Sequence, residues 1–229
     1  MANIIITGAS GNLGLAVTKK FLDLGHQVIA TVIHKDAKAG LAAHKNLQVE
    51  IVNLTSEDET NGFIQKVLDK YKKMDAAIML VGGFAVGNIF STGIKDIQKQ
   101  ITLNFETAYN ITRPLFDHMI QNNNGRLIFI GAKPALNPDS GRNLLAYGLG
   151  KSLIFKLTAF LNEEARGKNV TASVIVPSTI DTPANRKSMP DADPDEWVKP
   201  DQLADLISFL ISDSGSALRE TVLKVYNNA

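Results

Sequence analysis

The stretch Asn3-Ile4-Ile5-Ile6-Thr7-Gly8-Ala9-Ser10-Gly11-Asn12-Leu13-Gly14 decides the fold. A β-branched run gives way at once to spaced glycines, and these to an apolar helical pattern that continues through Phe21 and Leu22. A strand followed by spaced glycines and a helix is the context of a dinucleotide-binding turn. The glycines let the backbone turn tightly and approach a pyrophosphate. A helix starting at Asn12 or Leu13 would present unpaired N–H groups and the positive end of its dipole to that group. A ligand-free glycine-rich β-to-α turn has the same composition, so the stretch alone leaves both readings open.

Outward from this turn, strand and helix patterns alternate. Strand-like runs lie near 3–7, 27–33, 47–52, 75–81, 126–131, 170–176 and 221–226, and helix-like runs near 12–24, 57–73, 96–121, 147–165 and 201–212. This alternation predicts an α/β fold: a doubly wound, Rossmann-type parallel sheet of about seven strands with helices on both faces. Several strand-like runs are apolar throughout, as expected when both faces are covered. Ser56-Glu57-Asp58-Glu59 has capping-box spacing at a helix start. Asn122-Asn123-Asn124-Gly125 suits a left-handed helix end. Pro177 to Pro200 breaks the rhythm, with Pro183, Pro190, Pro194 and the single Trp197 between them. It follows a strand, which places it at the carboxyl edge of the sheet, where ligands bind in such folds. A loop this long is usually functional, so 177–200 is expected to be a substrate lid. A structural excursion or a dimer contact is the alternative.

The 229 residues show no break in composition, which predicts one domain over 1–229. Net charge is +1 with no basic block, so electrostatic binding of nucleic acid has no support. Cysteine is absent, which excludes disulfides, a thiolate nucleophile and Cys-ligated metal. His26, His34, His44 and His118 are scattered without metal-ligand spacing, so no metal site is expected. No apolar run is long enough to span a bilayer, and strand-like residues begin at Asn3. A cytoplasmic protein without a membrane partner is the expectation.

Tyr147 and Lys151, in Tyr147-Gly-Leu-Gly-Lys151, stand four residues apart on a helical run. That spacing puts both side chains on one face. A phenol beside an ammonium is a proton source, and the neighbouring charge is expected to lower its pKa. Such a pair suits a reaction in which a substrate heteroatom gains or loses a proton. A solvated helix face has the same spacing.

Taken in order, Thr7-Gly8-Ala-Ser-Gly11-Asn-Leu-Gly14, Asn104, Tyr147-Gly-Leu-Gly-Lys151 and Pro177-Ser-Thr-Ile180-Asp-Thr182-Pro resemble the short-chain dehydrogenase/reductase family over nearly the whole chain. The resemblance implies an NAD(P)H-dependent oxidoreductase acting on a small molecule, as a homodimer or homotetramer paired through the 96–121 and 147–165 helices. It assigns Thr7, Gly8, Ser10, Gly11, Asn12, Leu13 and Gly14 to the cofactor phosphates. Asn53 and Leu54 match the position that holds adenine, and Val81, Gly82 and Gly83 the border of the ribose. Pro177, Ile180 and Thr182 match the segment that holds the carboxamide. Tyr147 would be the proton donor, Lys151 would hold the nicotinamide ribose and lower the Tyr147 pKa, and Asn104 would anchor a proton-relay water.

The chain departs from the family pattern in several places. Its glycines read Gly-x-x-Gly-x-x-Gly, with Asn12 where a glycine usually falls, and the fourth strand ends Met79-Leu80-Val81-Gly82. The catalytic serine is replaced within Gly131-Ala132-Lys133. Losing one oxyanion donor costs roughly 2.7–4 kcal/mol in a carbonyl reduction. Gly131-Ala-Lys-Pro-Ala-Leu136 and Asp181-Thr-Pro-Ala-Asn-Arg-Lys-Ser-Met-Pro190 resemble the quinonoid dihydropteridine reductase branch, which also lacks the serine. An activated quinonoid acceptor needs less help from such a donor. A reductase of 3-oxoacyl or other ketones, or a non-catalytic NADP(H)-binding sensor, are the alternatives. At the end of the second strand Val32 stands where an acid would select NADH. His34 and Lys35 follow and would pair with a 2′-phosphate, so NADP(H) is expected over NAD(H).

Overall fold

The computed structural model describes residues 1–228, without the side chain of Ala39. Strands β1 (Asn3–Thr7), β2 (Gln27–Val32), β3 (Leu47–Ile51), β4 (Ala76–Met79), β5 (Gly125–Ile130), β6 (Val170–Pro177) and β7 (Val222–Val225) form one sheet. Their order is β3-β2-β1-β4-β5-β6-β7, and every pairing is parallel. The order reverses between β1 and β4, which is the switch point where ligands bind in open α/β sheets.

Both faces of the sheet are covered, and β1 shows how. Ile4, Ile5 and Ile6 are all buried. Successive strand side chains point to opposite faces. Ile5 joins the layer of Phe63, Ile64 and Val67 from helix α2 (Glu57–Tyr71), Ile111, Leu115 and Met119 from α4 (Thr107–Gln121), and Ile154 and Leu161 from α6 (Leu145–Glu164). Ile4 and Ile6 join the layer of Val17 and Phe21 from α1 (Asn12–Asp23) and Leu203, Ala204 and Ile207 from α8 (Pro200–Ile211). A continuous apolar strand is therefore a strand packed on two sides.

Several expected boundaries shift for local reasons. The Ser56 hydroxyl accepts from the Glu59 N–H at 3.3 Å, but the Glu59 carboxylate accepts from the Asn53 N–H at 3.2 Å, so only half of the capping box forms. The expected 96–121 helix begins earlier, as α3 (Ile94–Ile101), and runs into α4 through a wide π turn at Thr102–Glu106. It ends with Asn123 in the left-handed region at φ 48°, a conformation asparagine tolerates. After Ala132 a short helix α5 (Lys133–Leu136) forms, with Pro134 in its first turn. The 177–200 segment is not a bare loop. Pro177 closes β6, Pro200 opens α8, and α7 (Pro183–Ser188) lies between them. Trp197 is buried, and Ile180 bridges to Val198, so the two ends of the segment are tied together.

Candidate active site

The glycine turn leaves β1 at its carboxyl end. Gly8 has φ 63°, a left-handed conformation that costs a side chain but not glycine. The Gly11 N–H donates to the Gly8 carbonyl at 3.0 Å, closing the turn. A Cβ on Gly14 would stand 2.2 Å from that same carbonyl, so only glycine lets α1 sit against the loop. Gly11 caps α1 with no side chain. The N–H groups of Asn12, Leu13 and Gly14 therefore lack a capping side chain, with Ser10 beside them. Thr7 points the other way: its hydroxyl accepts from the Leu80 N–H at 3.0 Å and ties β1 to the end of β4. Gly8 meets Val81 directly, with the Val81 nitrogen 3.2 Å from where a Gly8 Cβ would be.

The second half of the site gathers around Gly82, Gly83, Asn104 and Lys151. The Asn104 Oδ1 accepts from the Gly83 N–H at 3.1 Å, and its Nδ2 donates to the Gly83 carbonyl at 3.0 Å. The same Nδ2 reaches the Gln100 side-chain oxygen at 2.9 Å. Asn104 is buried inside the π turn, a helix defect that often marks functional positions. Lys151 is buried too, and its Nζ donates to the Ile130 carbonyl at 2.8 Å. A Cβ on Gly82 would stand 2.7 Å from Asn104 Oδ1 and 3.3 Å from Lys151 Nζ. Gly82→Ala is therefore expected to displace both groups and lower kcat about tenfold, with the fold retained by circular dichroism.

Tyr147 lies one turn before Lys151 on α6, and its ring meets Phe84 edge-on with centroids 5.2 Å apart. Burial pushes the phenol up to about 12 and the Lys151 ammonium down to about 8. The expected lowering of the Tyr147 pKa is thus reversed in this structure. Desolvation penalises phenolate and ammonium alike, and it is the cause of both shifts.

The remaining predicted residues lie at the same carboxyl edge. His34 is exposed, with Nδ1 accepting from the Ala37 N–H at 3.2 Å, and Lys35 is exposed beside it. Both belong to a turn of 3-10 helix at Lys35–Gly40 and its cap, rather than to an open loop. The Asn53 side chain accepts from the Thr55 N–H at 3.2 Å and the Thr55 hydroxyl at 2.8 Å. The Leu54 carbonyl is held by Asn110 Nδ2 at 3.0 Å. The Thr182 hydroxyl caps α7 by accepting from Asn185 N–H at 3.2 Å, and Asn185 returns to the Ile180 carbonyl at 2.8 Å. Pro177 pairs with Val225. Ala132 is buried at the head of α5.

The sequence reading missed Phe84, Gln100 and Asn110. Gln100 is one helical turn before Asn104, so i,i+4 spacing was the available signal. Phe84 and Asn110 carry no local signal, because their contacts to Tyr147 and Leu54 cross the chain. The residues present fit a nicotinamide dinucleotide on two structural counts. One is the uncapped first turn of α1 above the Gly8 turn, and the other is the close approach of the Gly82 backbone to Asn104 and Lys151, which a Cβ would obstruct.

Known proteins resemble this chain in sequence and in fold. The family model described as short chain dehydrogenase matches residues 2–193. The chain is 29% identical to dihydropteridine reductase of Dictyostelium discoideum over 89% of this chain and 84% of that one. It is 24% identical to the 3-oxoacyl-(acyl-carrier-protein) reductase FabG of Thermotoga maritima over 96% and 94%. Among solved structures it superposes on ElxO with NADP bound at TM-score 0.90, with 20% identity over 99% and 98% of the two chains.

Proposed function

The chain belongs to the short-chain dehydrogenase family, and on that premise we propose that it is an NAD(P)H-dependent reductase of quinonoid acceptors, quinonoid dihydropteridine among them. The observation that carries this reading is a buried Ala132, with no hydroxyl, in a site that keeps Tyr147 and Lys151. A bound nicotinamide supplies the hydride. Tyr147 stays protonated through the neutral range, so it has a proton to give to the acceptor heteroatom. The Lys151 cation, one turn away, steadies the phenolate left behind. Asn104 holds the Gly83 backbone, which would border the cofactor ribose. Gly8, Gly11, Gly14 and the first turn of α1 bind the phosphates, and the 177–200 segment closes over the substrate. Without a serine hydroxyl an ordinary ketone loses an oxyanion donor, whereas a quinonoid ring gains conjugation on reduction. Initial rates of NADPH consumption with quinonoid dihydropterin, a benzoquinone and a 3-oxoacyl thioester test the reading. Equal or faster turnover of the thioester would overturn it in favour of the ketone reductase to which the chain is also similar.

NADPH is the preferred cofactor on this reading. Val32 at the end of β2 is buried and uncharged, and the exposed His34 and Lys35 follow it. One surface cation on a phosphate is worth about 1 kcal/mol, so Lys35→Ala should raise the KM for NADPH about fivefold and leave that for NADH unchanged. The assembly is a homodimer or homotetramer, supported by Phe160 on α6 at 73% exposure and Tyr109 on α4 at 40%; light scattering at the monomer mass would refute it.

A further inference from the structure

The segment after β4 carries apolar side chains that the proton chemistry does not require. From Ala76 to Ile94 no residue is charged. Phe84, Val86, Ile89, Phe90 and Ile94 are 66%, 75%, 70%, 97% and 66% exposed. Single exposed apolar residues are ordinary, but a run of five within eleven positions marks a binding surface. The run is shaped by its own hydrogen bonds. Asn88 Oδ1 accepts from the Phe90 N–H at 3.0 Å and the Ser91 N–H at 3.2 Å, and the Ser91 hydroxyl accepts from the Asn88 N–H at 3.0 Å. That turn sets Ile89 and Phe90 at its apex, in solvent.

The run is also continuous with the reactive phenol. Phe84 packs edge-on against Tyr147. Gly87 donates to the Asn143 carbonyl at 2.8 Å and accepts from the Leu145 N–H at 2.9 Å, which fastens the segment to the start of α6. An uncharged track offers nothing to a phosphate or to an acidic partner surface. A second copy seated on it would cover Phe84, the ring that meets Tyr147. We propose that this rim is a hydrocarbon track, and that the acceptor is a quinonoid ring bearing an alkyl or prenyl tail. Its ring lies at Tyr147 and Phe84, and its tail runs along Val86, Ile89 and Phe90. The proposal rests on the reductase reading above. Reduction of a quinone to its hydroquinone takes one hydride, from bound NADPH, and one proton, from Tyr147, which regains it from solvent. The tail takes no part in the electron balance.

The test compares 1,4-benzoquinone with its propyl and hexyl derivatives in the wild type and in the double variant Ile89→Thr, Phe90→Ser. Burying each methylene is worth up to about fourfold. The wild type should gain at least about tenfold in kcat/KM from the bare to the hexyl quinone, and the variant less than about threefold. Calorimetry with resorcinol and 4-hexylresorcinol, which the reaction does not consume, should show the same split in affinity. Equal chain-length dependence in both proteins overturns the proposal. If the variant instead dissociates an oligomer by light scattering while the dependence is unchanged, the surface belongs to a second copy and the proposal fails. If the wild type turns over no acceptor yet still prefers 4-hexylresorcinol, the reductase reading fails and the track stands.

Discussion

Tyr147→Phe lowers kcat with a quinonoid acceptor by about 10²–10⁴-fold, the usual worth of a positioned acid, and leaves NADPH binding intact. The substitution removes only the hydroxyl. The ring that packs against Phe84 at 5.2 Å stays, and the i,i+4 neighbour Lys151 keeps its bond to the Ile130 carbonyl. The loss should therefore fall on kcat, since the missing proton transfer belongs to the transition state rather than to the bound ground state. Steady-state kinetics with calorimetric titration of NADPH into both proteins checks this. Wild-type turnover by the variant would remove Tyr147 from the reaction. The pH profile adds a second check. With the phenol pushed up to about 12 by burial, the wild-type rate should show no loss of the acid form through neutrality. A fall in kcat between pH 5 and 7, below the range near 8 where Lys151 itself loses its proton, would mean that a different group donates the proton.

How much of this was readable without coordinates follows from the range of the interactions. The glycine turn, the parallel sheet and the Tyr147–Lys151 face were legible because each is written in a period of two or of 3.6 residues, or in a run of adjacent residues. The left-handed Asn123 was legible for the same reason. The half-formed capping box was not, because the Glu59 carboxylate goes to Asn53, a partner that only the β3 turn brings near. The π turn at Asn104 was hidden as well. Its widening lets the Asn104 amide meet both the N–H and the carbonyl of Gly83, a contact across 21 positions. The direction of the Tyr147 pKa was misread because sequence shows the neighbouring cation but not the burial that neutralises its advantage. The helix inside the 177–200 segment was missed because its prolines read as breakers. Pro183 and Pro194 each instead open a helical turn, where proline's missing N–H costs nothing.

Lys151→Met should make the ligand-free protein more stable while abolishing most of its activity. In the unfolded chain Lys151 titrates near 10.5, and in the folded chain burial lowers it to about 8. Below pH 8 both states hold the proton. The folded state then carries an ammonium removed from water, at a cost of about 3 kcal/mol. Between pH 8 and 10.5 the folded state releases its proton first and the unfolded state binds more, so stability rises with pH. Above 10.5 the cost is gone. Methionine fills the same channel without a charge, and the variant loses only the bond to the Ile130 carbonyl, worth about 1 kcal/mol. The variant should therefore exceed the wild type by about 2 kcal/mol at pH 7, the difference of those two contributions, and lose that advantage by pH 10.5. The Tyr147 titration near 12 is common to both proteins and drops out of the comparison. Urea unfolding of both proteins at pH 7, 9 and 10.5 measures it. A variant less stable than the wild type by the same amount at every pH would show that Lys151 is held for packing. A site that keeps a costly buried cation, and loses its function when that cation is removed, is giving up stability for chemistry.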